Sequence, residues 1–104
     1  MYLTWCTFVH TLEETMGFEW DRAKAAANQL RHRVAFGDAI GVLSDGLAIT
    51  LPEEHLGEER FVTIGTDTLN RVLVVVYCWR GEEIRIISAR RATRRERRRY
   101  QEQI

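Results

Sequence analysis

The sequence predicts an α+β domain with two N-terminal helices, an antiparallel sheet of at least four strands and a C-terminal arginine-rich helix. Three observations predict it. Arg71 to Trp79 is one long apolar run, apolar on both strand faces, as expected of a strand covered from both sides. After the break at Gly81, Glu83 to Arg91 resumes in alternating fashion, and Thr93 then opens a segment dense in arginine. Upstream, the apolar residues between Ala23 and Leu43 recur at helical rather than strand spacing.

Residues 1–17 show no clear period, and Met16-Gly17 sits just before the first recognisable element. They read as an N-terminal extension, with natural translation expected from Met16 and residues 1–15 dispensable. Residues 18–104 read as one domain, since a chain of 104 residues supports a single core. Phe18-Glu19-Trp20 is a short aromatic strand, and Asp21 offers an N-cap. The first helix, about 22–33, carries Ala23, Ala26, Ala27, Leu30 and Val34 on its apolar stripe. Lys24, Asn28, Arg31 and His32 fall on its opposite face. Phe36, Ala39, Ile40 and Leu43 mark a second helix, about 36–44, which holds Gly41 at a cost of about 1 kcal/mol against alanine. Asp45-Gly46 ends it.

Leu47 to Leu51 reads as a strand stopped by Pro52, followed by an acidic loop from Glu53 to Glu59 that contains His55. Arg60 to Thr66 is the next strand. Each connection between residues 47 and 91 is too short for a parallel crossover, so these strands form an antiparallel meander with the Arg71–Trp79 strand inside it. Thr93 and Glu96 form a capping box at the start of the last helix.

Composition narrows the function classes. No window of about 18 uninterrupted apolar residues exists, so no membrane span is expected, and the location expected is cytoplasmic. Cys6 and Cys78 make neither a disulfide framework nor a metal-ligand pattern and read as buried or incidental thiols. The formal net charge of zero is a cancellation. Residues 84–104 hold eight arginines against two glutamates, 8 − 2 = +6, and the rest of the chain balances them. Such asymmetry points to a polyanionic partner, or to a solvated helix face packed on acidic residues of the same chain.

Phe18-Glu19-Trp20-Asp21, then Lys24 to Asn28 and His32, resemble the start of the BrnT toxins of bacterial type II toxin–antitoxin systems. Glu59 to Gly65 resembles their middle strand, and Arg85 to Thr93 with Glu96 and Tyr100 resembles their closing signature. The resemblance implies a RelE-like fold, ribonuclease activity and inhibition by a BrnA-type antitoxin with a ribbon-helix-helix domain. Operator DNA is then met only through the antitoxin. The chain departs from that pattern at Arg33, where glycine is usual, at Gly46, and at Thr66, where an arginine often stands.

Metal-free RNA cleavage uses the 2′-hydroxyl as an internal nucleophile. It needs a base for that proton, an acid for the leaving oxygen and cations for the charged transition state. No acidic cluster suggests a two-metal site, so no metal and no cofactor is expected. The candidate catalytic cations are Arg60, Arg71 and Arg85, and the candidate acids or bases are His32, Glu96 and Tyr100. Arg71 and Arg85 are expected to converge as a phosphate clamp. Lys24, Arg90, Arg91 and Arg94 are candidate RNA contacts, and Tyr77 a candidate base-stacking platform. Each has a structural counterpart: Glu96 as a capping partner, Tyr77 as core, Arg85 as an ion pair, His32 as a helix cap. A catalytically silent antitoxin-binding module, or a nucleic-acid-binding domain using the arginine helix, fits the same residues. Steep salt dependence of binding without turnover would distinguish the latter.

Overall fold

The structure, a computed structural model, describes residues 17–102 and the backbone of residues 12–15. Nine elements follow in order: β1 (Leu12–Thr15), β2 (Phe18–Asp21), α1 (Arg22–His32), α2 (Phe36–Leu43), β3 (Ile49–His55), β4 (Glu58–Thr66), β5 (Val72–Arg80), β6 (Glu83–Arg91) and α3 (Arg94–Glu102). The strands form one sheet in the order β1-β2-β6-β5-β4-β3. β3 to β6 pair antiparallel in succession, and β5 lies inside the sheet. The sheet as a whole is mixed, because β2 runs parallel to β6. That pairing joins residues more than sixty positions apart, and no local pattern encodes it.

Leu73, Val75 and Tyr77 of β5, with Ile86 and Ala89 of β6, face the first core with Trp20, Val34, Phe36, Ala39 and Val42. Here α2 closes on the sheet through Phe36, Ala39 and Val42, all buried. Gly65 is what lets it approach: a Cβ there would stand 3.1 Å from Val42 and 3.0 Å from Ala48. Tyr77 belongs to this core, stacked on Phe61 at 5.8 Å and accepting a hydrogen bond from Thr63 Oγ1. It is therefore no platform for a base.

The opposite face is half covered. Ile64 and Val74 pack under Tyr100 of α3, with Ile49, Val62, Val72 and Ala92 around them. Directly opposed residues share a face, so the register carries this face on through Val76 and Ser88 to Arg60, Glu58 and His55. Among the described residues no helix lies over that second half.

Two expectations fail in the β3–β4 region. β3 does not stop at Pro52 but runs to His55. It is an edge strand, paired only with β4, so the missing proline N–H removes no ladder bond. The expected acidic loop is a two-residue turn, Leu56-Gly57, with φ of 55° and 80°. Positive φ at both positions is what a tight hairpin requires, and Leu56 hides that signal.

The face of α1 is also reversed from expectation. Asp21 caps the helix by accepting from Ala23 N–H and Lys24 N–H. The apolar stripe, however, points outward, and Leu30 is 84% exposed. The polar face turns inward because β2 leaves the far part of β6 unpaired on that side. The buried Asn28 amide fills the gap, donating to the carbonyls of Ala89 and Val34 and accepting from Ala89 N–H. Among the described residues no helix is long and apolar enough to cross a membrane. Cys78 is buried, as expected, but disulfide-bonded rather than a free thiol; Cys6 lies outside the described residues, as do residues 1–11 of the extension.

Candidate active site

The inward polar face of α1 and the uncovered half of the sheet enclose a cleft of about 400 Å³, within the range of ligand sites. Lys24, Arg31 and His32 come from α1, His55 from the end of β3, Arg60 from β4 and Ser88 from β6. Three of the sequence-predicted residues meet here: Lys24, His32 and Arg60. Two further residues, Arg31 and His55, line the cleft without having been sequence candidates. His55 was hidden by the misread loop, and only the two-residue hairpin turns it onto the same face as Arg60. Arg31 was visible as a neighbour of His32 on the polar face of the helix.

Cations and imidazoles thus share one concave surface. Among the described residues, no side-chain hydrogen bond or ion pair engages His32, His55 or Arg31. Arg60 has one ion pair, Nε to Glu58 Oε1 at 3.6 Å, beyond hydrogen-bond reach. Two groups able to give and take protons beside three fixed positive charges suit a reaction that moves protons around an anionic centre. Among the described residues no three His, Cys, Asp or Glu side chains gather closely enough to hold a metal ion.

The remaining sequence candidates sit elsewhere, each engaged by the fold. Arg71 is on the α2 side of the sheet. Its guanidinium donates to Asp67 Oδ2 from both Nε and Nη2 and to Asp38 of α2 at 2.8 Å. The Asp67 bonds, then those of Asp38, hold its pKa above the usual arginine value against the effect of burial. Arg85 is only 2% exposed and paired with Glu19, with Nε to Oε1 at 2.5 Å. Burial works to raise the Glu19 pKa, but hydrogen bonds from Glu83 and Arg85 and the charges of Arg85 and Arg80 bring it below its ordinary value. The expected convergence of Arg71 and Arg85 does not occur. The two lie on opposite faces, and since Arg85 stands opposite Cys78 they are separated by roughly 20 Å of strand.

Glu96 and Tyr100 serve the attachment of α3. Glu96 accepts both arms of Arg90, at 2.8 and 2.9 Å, and exchanges capping bonds with Thr93. The Arg90 fork and the Thr93 bonds pull its pKa down to about 2 despite partial burial. A carboxylate so strongly ionised and occupied is a poor acid and a poor base near neutrality. Tyr100 is buried and donates to Asp45 Oδ2 at 2.6 Å, while accepting from Thr66 Oγ1. Asp45 holds the Tyr100 proton, raising the phenol's pKa above its ordinary value. Burial would raise Asp45 itself, yet the bonds from Tyr100, Thr66 N–H and Leu47 N–H keep it below the usual carboxylate value. Thr66, a departure from the family pattern, is thus part of this tie. Arg90 stays half exposed on the cleft side of the sheet, two residues along from Ser88. Arg91 falls on the other face, opposite Leu73, and Arg94 is exposed at the start of α3.

Comparison with known proteins gives one consistent result. Residues 20–96 match the sequence model of a family described as the ribonuclease toxin BrnT of type II toxin–antitoxin systems. The crystal structure of the Brucella abortus ribonuclease toxin BrnT superposes with a TM-score of 0.59 at 27% identity, covering 72% of this chain and 94% of that one. No curated protein sequence matches the chain significantly.

Proposed function

The chain belongs to the BrnT ribonuclease toxin family of type II toxin–antitoxin systems, and on that premise we propose that it cleaves RNA in the cleft between α1 and the open half of the sheet. The reaction proposed is metal-free attack by the substrate's own 2′-hydroxyl on the adjacent phosphorus. The observation that supports this reading is the meeting of His32 and His55 with Lys24, Arg31 and Arg60 on one concave surface.

In the proposed mechanism the phosphate sits among Arg60, Arg31 and Lys24. Their attraction strengthens as negative charge builds on the phosphoryl oxygens, which lowers the barrier rather than merely tightening binding. One histidine takes the 2′-hydroxyl proton and the other gives a proton to the departing 5′-oxygen. The products are a 2′,3′-cyclic phosphate and a free 5′-hydroxyl. Arg94, exposed at the start of α3, extends the positive track for a flanking phosphate. Arg71, Arg85, Glu96, Tyr100 and Tyr77 hold the scaffold and touch no substrate.

Family membership implies an antitoxin partner. We propose a BrnA-type ribbon-helix-helix protein, a RelE-like origin for the fold, and action in the cytoplasm. The test is incubation of the purified protein with RNA in excess chelator. Cleavage giving cyclic-phosphate ends supports the reading. Cleavage abolished by chelator and restored by a divalent ion overturns the metal-free mechanism, and tight RNA binding without cleavage overturns the enzyme.

A further inference from the structure

Glu58 opens β4 directly after the Leu56-Gly57 turn, a place where a carboxylate ordinarily meets water. Here it is only 2% exposed. Its Oε1 stands 3.6 Å from Arg60 Nε, and among the described residues its Oε2 has no hydrogen-bond partner. Arg60 Nε also lacks one, although the Arg60 side chain is only 11% exposed. Glu58 and Arg60 share a strand face as i and i+2 residues, and Glu58 is the cross-strand neighbour of His55. It therefore lies beside the two cleft residues contributed by the hairpin.

Removing a carboxyl group from water while leaving one oxygen unpartnered is unfavourable. Native folds leave few such groups, and each calls for an explanation. A guanidinium presents its N–H donors on separate edges. With the Nε side turned to Glu58, the Nη donors are left for a ligand. We propose that Glu58 is a positioning residue for Arg60: it holds the Nε side of the guanidinium so that the Nη donors meet the phosphate being cleaved. This rests on the cleft being the site of RNA cleavage. The role is orientation, because Glu58 is buried and has no access to substrate.

The test is a double-mutant cycle of Glu58→Gln and Arg60→Gln, reading kcat and KM on a defined oligoribonucleotide together with Tm. If Glu58 acts through Arg60, Glu58→Gln lowers kcat by about 10- to 50-fold with KM within about twofold. The double variant then falls within about threefold of Arg60→Gln alone. Losses that multiply, or an unchanged kcat in Glu58→Gln, overturn the proposal. Should Glu58→Gln fail to fold, Glu58→Asp goes through the same cycle, since it keeps the charge and withdraws it by one methylene. If the wild-type protein cleaves no RNA, the cleft's proposed function fails on its own. The role of Glu58 rests on that function and fails with it, whereas an active wild type with an unchanged Glu58→Gln removes the role of Glu58 alone.

Discussion

The cleft and the β6–α3 closure hold the same kinds of side chain and use them differently. In the closure, Arg90 is forked onto Glu96, and the Tyr100 hydroxyl is held by Asp45 and Thr66. Arg85 on β6 is sealed against Glu19. In the cleft, among the described residues, His32, His55 and Arg31 are left without such partners, and Arg60 has a long contact to Glu58. The lesson is that residue type and family-like spacing find both groups, but only the pairing separates them. An arginine whose donors are all taken by its own fold has nothing to offer a phosphate.

The largest effect that would break this contrast concerns Arg85. Replacing it with glutamine leaves Glu19 buried beside a neutral amide, and loss of one partner of a buried pair costs about 3–5 kcal/mol. Chemical denaturation of Arg85→Gln should show a loss of that size, with RNA cleavage per folded molecule unchanged. A near-native stability with cleavage reduced 100-fold would instead return Arg85 to the site.

A smaller effect is acid sensitivity of the closure. The folded-state pKa of Glu96 is about 2, below its ordinary 4.5. A carboxylate depressed by folding adds stability that is present in full above the unfolded pKa. That stability is lost as pH falls from about 5 toward 2. The pair is partly exposed, so its contribution is about 1–2 kcal/mol after screening. Denaturation at pH 7 and at pH 3 should show this difference in the wild-type protein and a smaller one in Glu96→Gln. An equal acid dependence in both proteins would show that Arg90 and Glu96 are not coupled as described.

The smallest effect lies beside the cleft. Arg33 is the C-cap of α1, in the left-handed region at φ 61°, which explains why glycine is common there in the family-like pattern. Arg33→Gly should stabilise the protein by about 0.5–1 kcal/mol. Cleavage should stay within twofold, since His32 keeps its helix. A loss of cleavage would place Arg33 among the substrate contacts.

What the sequence made legible was local. The Asp21 cap, the Thr93–Glu96 capping box and the two-sided apolar run of β5 each follow from neighbours a few residues apart. What stayed hidden was non-local. The parallel pairing of β2 with β6 leaves part of β6 open, which draws Asn28 inward and turns Lys24 and His32 with it. No periodicity within α1 could report that. His55 was hidden by a leucine in a turn conformation that favours glycine or asparagine. Chemistry alone singles out Lys24, His32 and Arg60, which line one cleft, but it equally singles out Arg71 and Arg85, whose acidic partners stand far away or across a turn.

On the proposed function, the cleft and not the closure carries out the chemistry. The direct measurement is kcat/KM for RNA cleavage by His55→Asn set against Glu96→Gln, each with its Tm. His55→Asn should lose at least about 100-fold, equivalent to roughly 2.7 kcal/mol of transition-state stabilisation, with Tm unchanged. Glu96→Gln should stay within about threefold of wild type at a lowered Tm. Full activity in His55→Asn together with an inactive, stably folded Glu96→Gln would contradict that assignment.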